Sequence, residues 1–176
     1  YSAAPSIYME HSAHFVGVLR MGCSVYNYFQ VPDNDFDEHD RDSTLLSAGF
    51  EEWYIFGERA QYRLELGYTF QRELTDAVEW AYLSHKVRVG GGAELPWWRI
   101  SVAGFTAYEA RDYDRLNLAF NKTQEEDIIT CGLSLSRPLW KDASLTVSYS
   151  FTDNVSNVRS QDYERSQVTF GITQRF

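Results

Sequence analysis

Asp33, Asp35 and Asp37 fall at alternate positions in the stretch DNDFDEHDRD, and alternating carboxylates are what a loop needs to wrap a divalent cation. Such a loop turns sharply at its sixth position and takes glycine there. Glu38 occupies that position here, so the expectation is a solvated acidic loop, with a loosely held cation as the sharper alternative and no cofactor. His39 with Asp40 and Asp42 offers a possible acid–base pair, but no second acidic pair can be placed beside it. Ser84 and His85 are a possible nucleophile and base. They are adjacent on an extended segment, so their side chains leave on opposite faces. No nucleophile–base–acid set converges, and an enzyme is not expected.

A second set of residues is charged and regularly spaced. Glu51, Arg63, Glu65, Lys86, Arg88, Glu94, Glu109 and Arg111 all take the polar phase of alternating segments. Opposite charges on one face would pair, because an unpaired buried charge is expensive. They are expected to form an electrostatic core, or the selectivity lining of a wider pore.

The segments that position these charges have period 2. In SLTVSYSFT, Leu145, Val147, Tyr149 and Phe151 alternate with serine and threonine. Seven more runs follow the rule, at 15–29, 44–56, 60–72, 83–95, 99–112, 128–139 and 167–176, giving eight strands. The glycines at 90–92 lie inside a strand, so they suit bending or the close approach of an inward aromatic such as Phe105. Tight links at 57–59, 96–98 and 140–143 alternate with long polar ones at 30–43, 73–81, 114–127 and 154–166. Short links on one side and long ones on the other are the pattern of outer-membrane barrels. Aromatics at the strand ends suit two interfacial girdles: Trp53, Tyr54, Phe56, Trp97, Trp98 and Trp140 on the short-turn side, Tyr26, Tyr28, Tyr108 and Tyr113 on the other.

The expected fold is therefore an all-β, transmembrane, antiparallel up-and-down barrel of eight strands, with short periplasmic turns, long external loops and a periplasmic C-terminus. Residues 14–176 form the barrel. Residues 1–13 are either a periplasmic lead or the end of a preceding strand, the latter if Ile7–Glu10 is extended and His11–Ala13 turns. Net charge is −9, which argues against nucleic acid as a partner. Cys23 and Cys131 match no metal spacing and are expected to be free.

The final segment, from Leu133 through SRPLWKDASLTVSYSFTDNVSN to YERSQVTFGITQRF, resembles the closing strands of proteobacterial barrels. It is most similar to porins and to the barrels that follow tetratricopeptide repeats in exporters such as the surface lipoprotein assembly modifiers. Arg137, Pro138, Leu139, Ser156, Asn157, Tyr163, Arg165 and Phe176 carry the likeness. Those 176 residues include no counterpart of the repeats. The resemblance implies an assembly signal at Phe170, Ile172 and Phe176, read by the barrel-assembly machinery. It also implies outer-membrane lipids and lipopolysaccharide as surroundings, and a possible protein partner at the external loops. Three functions follow as expectations: a small plugged barrel acting as a surface anchor, the C-terminal part of a larger porin or exporter barrel, and an outer-membrane lipid-modifying enzyme or protease.

Overall fold

A computed structural model describes residues 1–27, 42–75, 80–96, 99–117, 121–140 and 143–174. The acidic loop with Asp33, Asp35, Asp37, His39 and Asp40 lies outside the described residues. So do Tyr28, Trp97, Trp98 and Phe176.

Ten strands form one antiparallel sheet: β1 (Ser2–Ala3), β2 (Ser6–Glu10), β3 (Phe15–Tyr26), β4 (Ser43–Phe56), β5 (Tyr62–Thr75), β6 (Tyr82–Leu95), β7 (Ile100–Asn117), β8 (Lys122–Trp140), β9 (Ala143–Ser156) and β10 (Tyr163–Gln174). Each strand from β3 to β10 pairs with the next, and β1 and β2 both pair with β3. No α-helix occurs among the described residues. The sheet has two free edges, one along β10 and one along β1–β2, and is not closed on itself.

Eight of the strands fall on the eight expected segments. The other two come from the lead. Ser2 pairs with Ser24 and Ser6 with Arg20 in one uninterrupted register, so β1 and β2 are a single ribbon broken only at Ala4–Pro5. The amide of Met21 bonds to the Pro5 carbonyl at 3.1 Å, and that of Val25 to the Tyr1 carbonyl at 2.7 Å. Odd residues of the ribbon therefore face β3, and by antiparallel geometry the even ones point their N–H and C=O to the open side. Pro5 is one of the odd residues, so the N–H it lacks is on the side toward β3 and not on the open side.

Several strands run further than alternation predicts. The expected loop at 114–127 is mostly a hairpin, since β7 continues to Asn117 and β8 starts at Lys122. The expected loop at 154–166 shrinks because β9 reaches Ser156 and β10 starts at Tyr163. The cause is physical. Beyond an apolar layer neither face needs apolar residues, so ladder pairing continues where the sequence signal has stopped.

The faces of the sheet are reversed relative to a soluble sandwich. Buried strand side chains such as Val18, Ser84, Ala107, Glu109, Gln124, Glu126 and Asn154 share the polar parity. The opposite parity is apolar and exposed: Leu66 51%, Leu133 50%, Phe170 73%. This face carries a run of rings at the short-turn end, with Phe15–Tyr54, Tyr54–Phe56 and Phe56–Tyr62 centroids 4.8, 5.4 and 5.3 Å apart. Three girdle expectations are corrected by register, the first being Tyr26, which pairs with Ser43 on the polar parity shared by Arg20 and Glu51. Trp53 pairs with Glu65 and takes the polar parity, and Tyr113 is buried on the polar face. Tyr108 does lie on the apolar face, where its hydroxyl donates to Asp127.

Candidate functional site

All eight charges expected on one face share it. Register fixes this: Glu51 stands opposite Gly67, Arg63 opposite Gly92, Lys86 opposite Glu109, and Glu94 opposite Ser101. Their surroundings differ from one end of the face to the other.

Toward the long-loop end the charges form a chain. Lys86 Nζ lies 3.5 Å from Glu109, whose other oxygen accepts from Arg111 Nη2 at 2.8 Å. Arg111 Nη1 then donates to Glu126 at 3.3 Å. Gln124 Nε2 and the Tyr113 hydroxyl donate to the same Glu126 carboxylate at 2.6 and 3.4 Å. The Arg111 guanidinium lies over the Tyr82 ring, 4.4 Å from its centroid. Glu109 and Glu126 are each 6% exposed. The alternating sequence puts these residues on facing strands, and burial makes each dependent on its neighbour.

The β9–β10 link is tied to β8 at this end. Asn157 acts as a short extra rung on β8, donating from Nδ2 to the Thr123 carbonyl at 2.8 Å and accepting from the Glu125 amide at 3.1 Å. Ser156 donates to the Glu125 carbonyl at 3.1 Å, and its amide donates to Asp162 at 2.7 Å. These bonds tuck Val158 into the interior, where it is buried. Ser156 and Asn157 are two of the residues that carry the resemblance at the C-terminus.

Midway, Arg88 Nε donates to Glu65 at 2.6 Å, and the guanidinium carbon sits 3.6 Å from the Phe105 centroid. The Phe105 ring in turn lies directly over Gly132, where any Cβ would collide with it. At Gly90 a Cβ would stand 3.2 Å from Phe105 Cβ. The glycines on this face make room for the ring. Glu51 pairs with Arg20 across β3 and β4.

At the short-turn end the face opens. A cavity of 450 Å³ is lined by Arg63, Glu94, Gln61, Ser101, Ser134 and Ser136, among others. Arg63 and Glu94 were expected to be paired like the rest. They are in no salt bridge among the described residues, and they are solvated through the cavity instead.

Three partners escaped the sequence reading. Glu126 and Gln124 fell in the stretch assigned to a loop. Arg20 had the right parity but no indicated partner. His85, expected to stand alone on the apolar face, has one: the Tyr68 hydroxyl lies 2.6 Å from its Nδ1, with Phe70 edge-on at 5.4 Å. Ser84 is fully buried on the opposite face, so the two adjacent residues are separated as expected.

Cys23 and Cys131 are free thiols on β3 and β8. Among the described residues no group of three or more His, Cys, Asp or Glu side chains is placed to hold a metal. No helix among them is long and apolar enough to cross a membrane, which leaves strands that cross open.

Comparisons with curated proteins and with solved structures return no match. The family model described as surface lipoprotein assembly modifier matches residues 33–176, the span from the acidic loop through β10. The match and the antiparallel sheet point to the bacterial outer membrane and to involvement with surface lipoproteins. The chain belongs to the surface lipoprotein assembly modifier family.

Proposed function

We propose that the chain is part of the wall of an outer-membrane β-barrel that acts, without catalysis, in the assembly of surface lipoproteins, and that this wall is wider than eight strands. One observation carries the width: two free edges that run in the same direction and are not guarded. Counting β1–β2 as one ribbon, nine ribbons alternate from the lead to β10. An odd number leaves the first and last ribbons parallel. Bacterial single-chain barrels have an even number of antiparallel strands, so direct closure would need a parallel seam. Exposed edges are normally blunted by Lys or Pro. Here the outward positions of the lead ribbon are Ser2, Ala4, Ser6, Tyr8 and Glu10, and Pro5 is turned inward. β10 contains neither Lys nor Pro.

The apolar outer face then meets lipid and lipopolysaccharide, with the short turns and the C-terminus in the periplasm. Phe170, Ile172 and Phe176 offer the closing signal to the assembly machinery. The charged face lines the interior.

The test is single-channel conductance of the full-length protein, purified from its own outer membrane, in a planar bilayer. Steady steps are expected, because a wall wider than eight strands leaves an aqueous path. Silence, together with an efficient cross-link between cysteines at Tyr8 and Thr169, would replace this reading with a small plugged anchor.

A further inference from the structure

Glu52 breaks the pattern of the apolar face. It pairs with Gly17 on β3 and with Leu66 on β5, so it shares the outward parity of Phe50 and Tyr54 and not the inward one of Glu51. Along its row, from Met9 on β2 to Ser166 on β10, no other residue is charged. The row lies next to that of the packed Phe15 and Tyr54 rings, on the side away from the short turns. A carboxylate on a lipid-facing surface is costly unless a partner meets it.

The chain supplies that partner only in part. His11, in the turn between β2 and β3, brings its Nε2 to 3.5 Å from Glu52, with the two side chains 49% and 43% exposed. Glu52 accepts no hydrogen bond among the described residues. Gly17 lies beneath the pair. A Cβ there would stand 2.9 Å from His11 Nε2 and 3.3 Å from Glu52 Oε1, so glycine lets both groups lean over the strand. A shallow pocket of 370 Å³ opens here, lined by His11, Ser12, Phe15 and Glu52. Ser12 Oγ accepts from the amides of His14 and Phe15, each at 3.2 Å, and its own proton is left to donate.

We infer that this pocket binds the headgroup of a phospholipid that carries a primary ammonium beside its phosphate, as phosphatidylethanolamine does. The inference rests on the wall proposed above, which puts this face in lipid and these turns at the periplasmic leaflet. Each half of the headgroup meets its complement. The Glu52 carboxylate takes the ammonium in charge-assisted hydrogen bonds, and the Ser12 hydroxyl donates to the phosphate. The acyl chains then follow the apolar face past Ile7 and Phe50, one row on, which are 59% and 45% exposed. An anionic lipid without the ammonium is repelled by Glu52, and a choline headgroup has no N–H to give.

The test uses the full-length protein, delipidated and returned to phosphatidylcholine vesicles. A trace of photoactivatable phosphatidylethanolamine or phosphatidylglycerol is added, with the reactive group next to the glycerol, and adducts are mapped by peptide mass spectrometry. The ethanolamine probe is expected to mark residues 7–19 and 50–54 about tenfold more than the other probe does, the scale of one hydrogen bond to a charged group. Unlabelled phosphatidylethanolamine should displace it from the unaltered protein. Glu52→Gln should abolish the preference while marking at Leu133 and Phe170 stays the same. Equal marking by the two probes, no displacement by the unlabelled lipid, or a preference that survives Glu52→Gln would each overturn the pocket assignment alone. If neither probe marks Leu133 or Phe170, the apolar face is not in lipid, and the functional reading falls together with the pocket.

Discussion

Glu109 and Arg63 stand on the same face of the same sheet, six ladder pairs apart, yet they occupy different solvents. Glu109 is buried, and the Lys86 and Arg111 cations both face its carboxylate. Arg63 is exposed to an open cavity that Glu94 also lines. The sequence writes both as a charged residue at a polar phase. What separates them is the volume of their neighbours. Tyr82, Tyr113 and Gln124 fill one end, while Gly92, Ala103 and Ser134 leave the other empty. Charge pattern alone therefore does not distinguish a brace from a lining, and side-chain size on the facing strands does.

Substitutions can break this contrast in order of expected size. Glu109→Ala leaves Arg111 and Lys86 facing each other without their carboxylate. It should cost about 3–5 kcal/mol, the range for a broken buried pair, seen as an early midpoint in urea unfolding from lipid or detergent. Gly132→Val pushes a side chain into the Phe105 ring and should cost about 1–3 kcal/mol through overpacking. A second change, Phe105→Ala, should recover part of that loss, which a double-mutant cycle measures. On the apolar face, Tyr68→Phe strips His85 of its partner and should cost about 1 kcal/mol by the same unfolding measurement. Arg63→Ala should change stability by no more than about 0.5 kcal/mol, since no ion pair is lost. Its effect should be on ions: the conductance in a planar bilayer becomes more cation-selective. An Arg63→Ala variant as unstable as Glu109→Ala would erase the distinction between the two ends.

The strands were legible because one face of the sheet is apolar and the other polar, which leaves period 2 along each strand. Glu51, Arg63, Glu65, Lys86, Arg88, Glu94, Glu109 and Arg111 were legible as one face for the same reason. Glu126 and Gln124 were not, because the segment that carries them has polar residues on both sides and reads as a loop. The lead was ambiguous. Ser6–Glu10 is short and contains one alternation, and only its register against β3 reveals a strand. The pairing of Tyr68 with His85 depends on which residues meet across β5 and β6, a register that neither segment contains by itself.

Pro5 sets the lead ribbon up as an isotope ruler. The amides of Ala3, Ile7 and Met9 are turned toward β3, while those of Ala4, Ser6, Tyr8 and Glu10 are turned away from it. In deuterated water the second group should exchange rapidly and the first slowly, a two-residue beat along one edge. When a further strand lies alongside, the fast members should slow together and the beat should vanish. The ribbon would thus report, amide by amide, whether the wall beside it is finished.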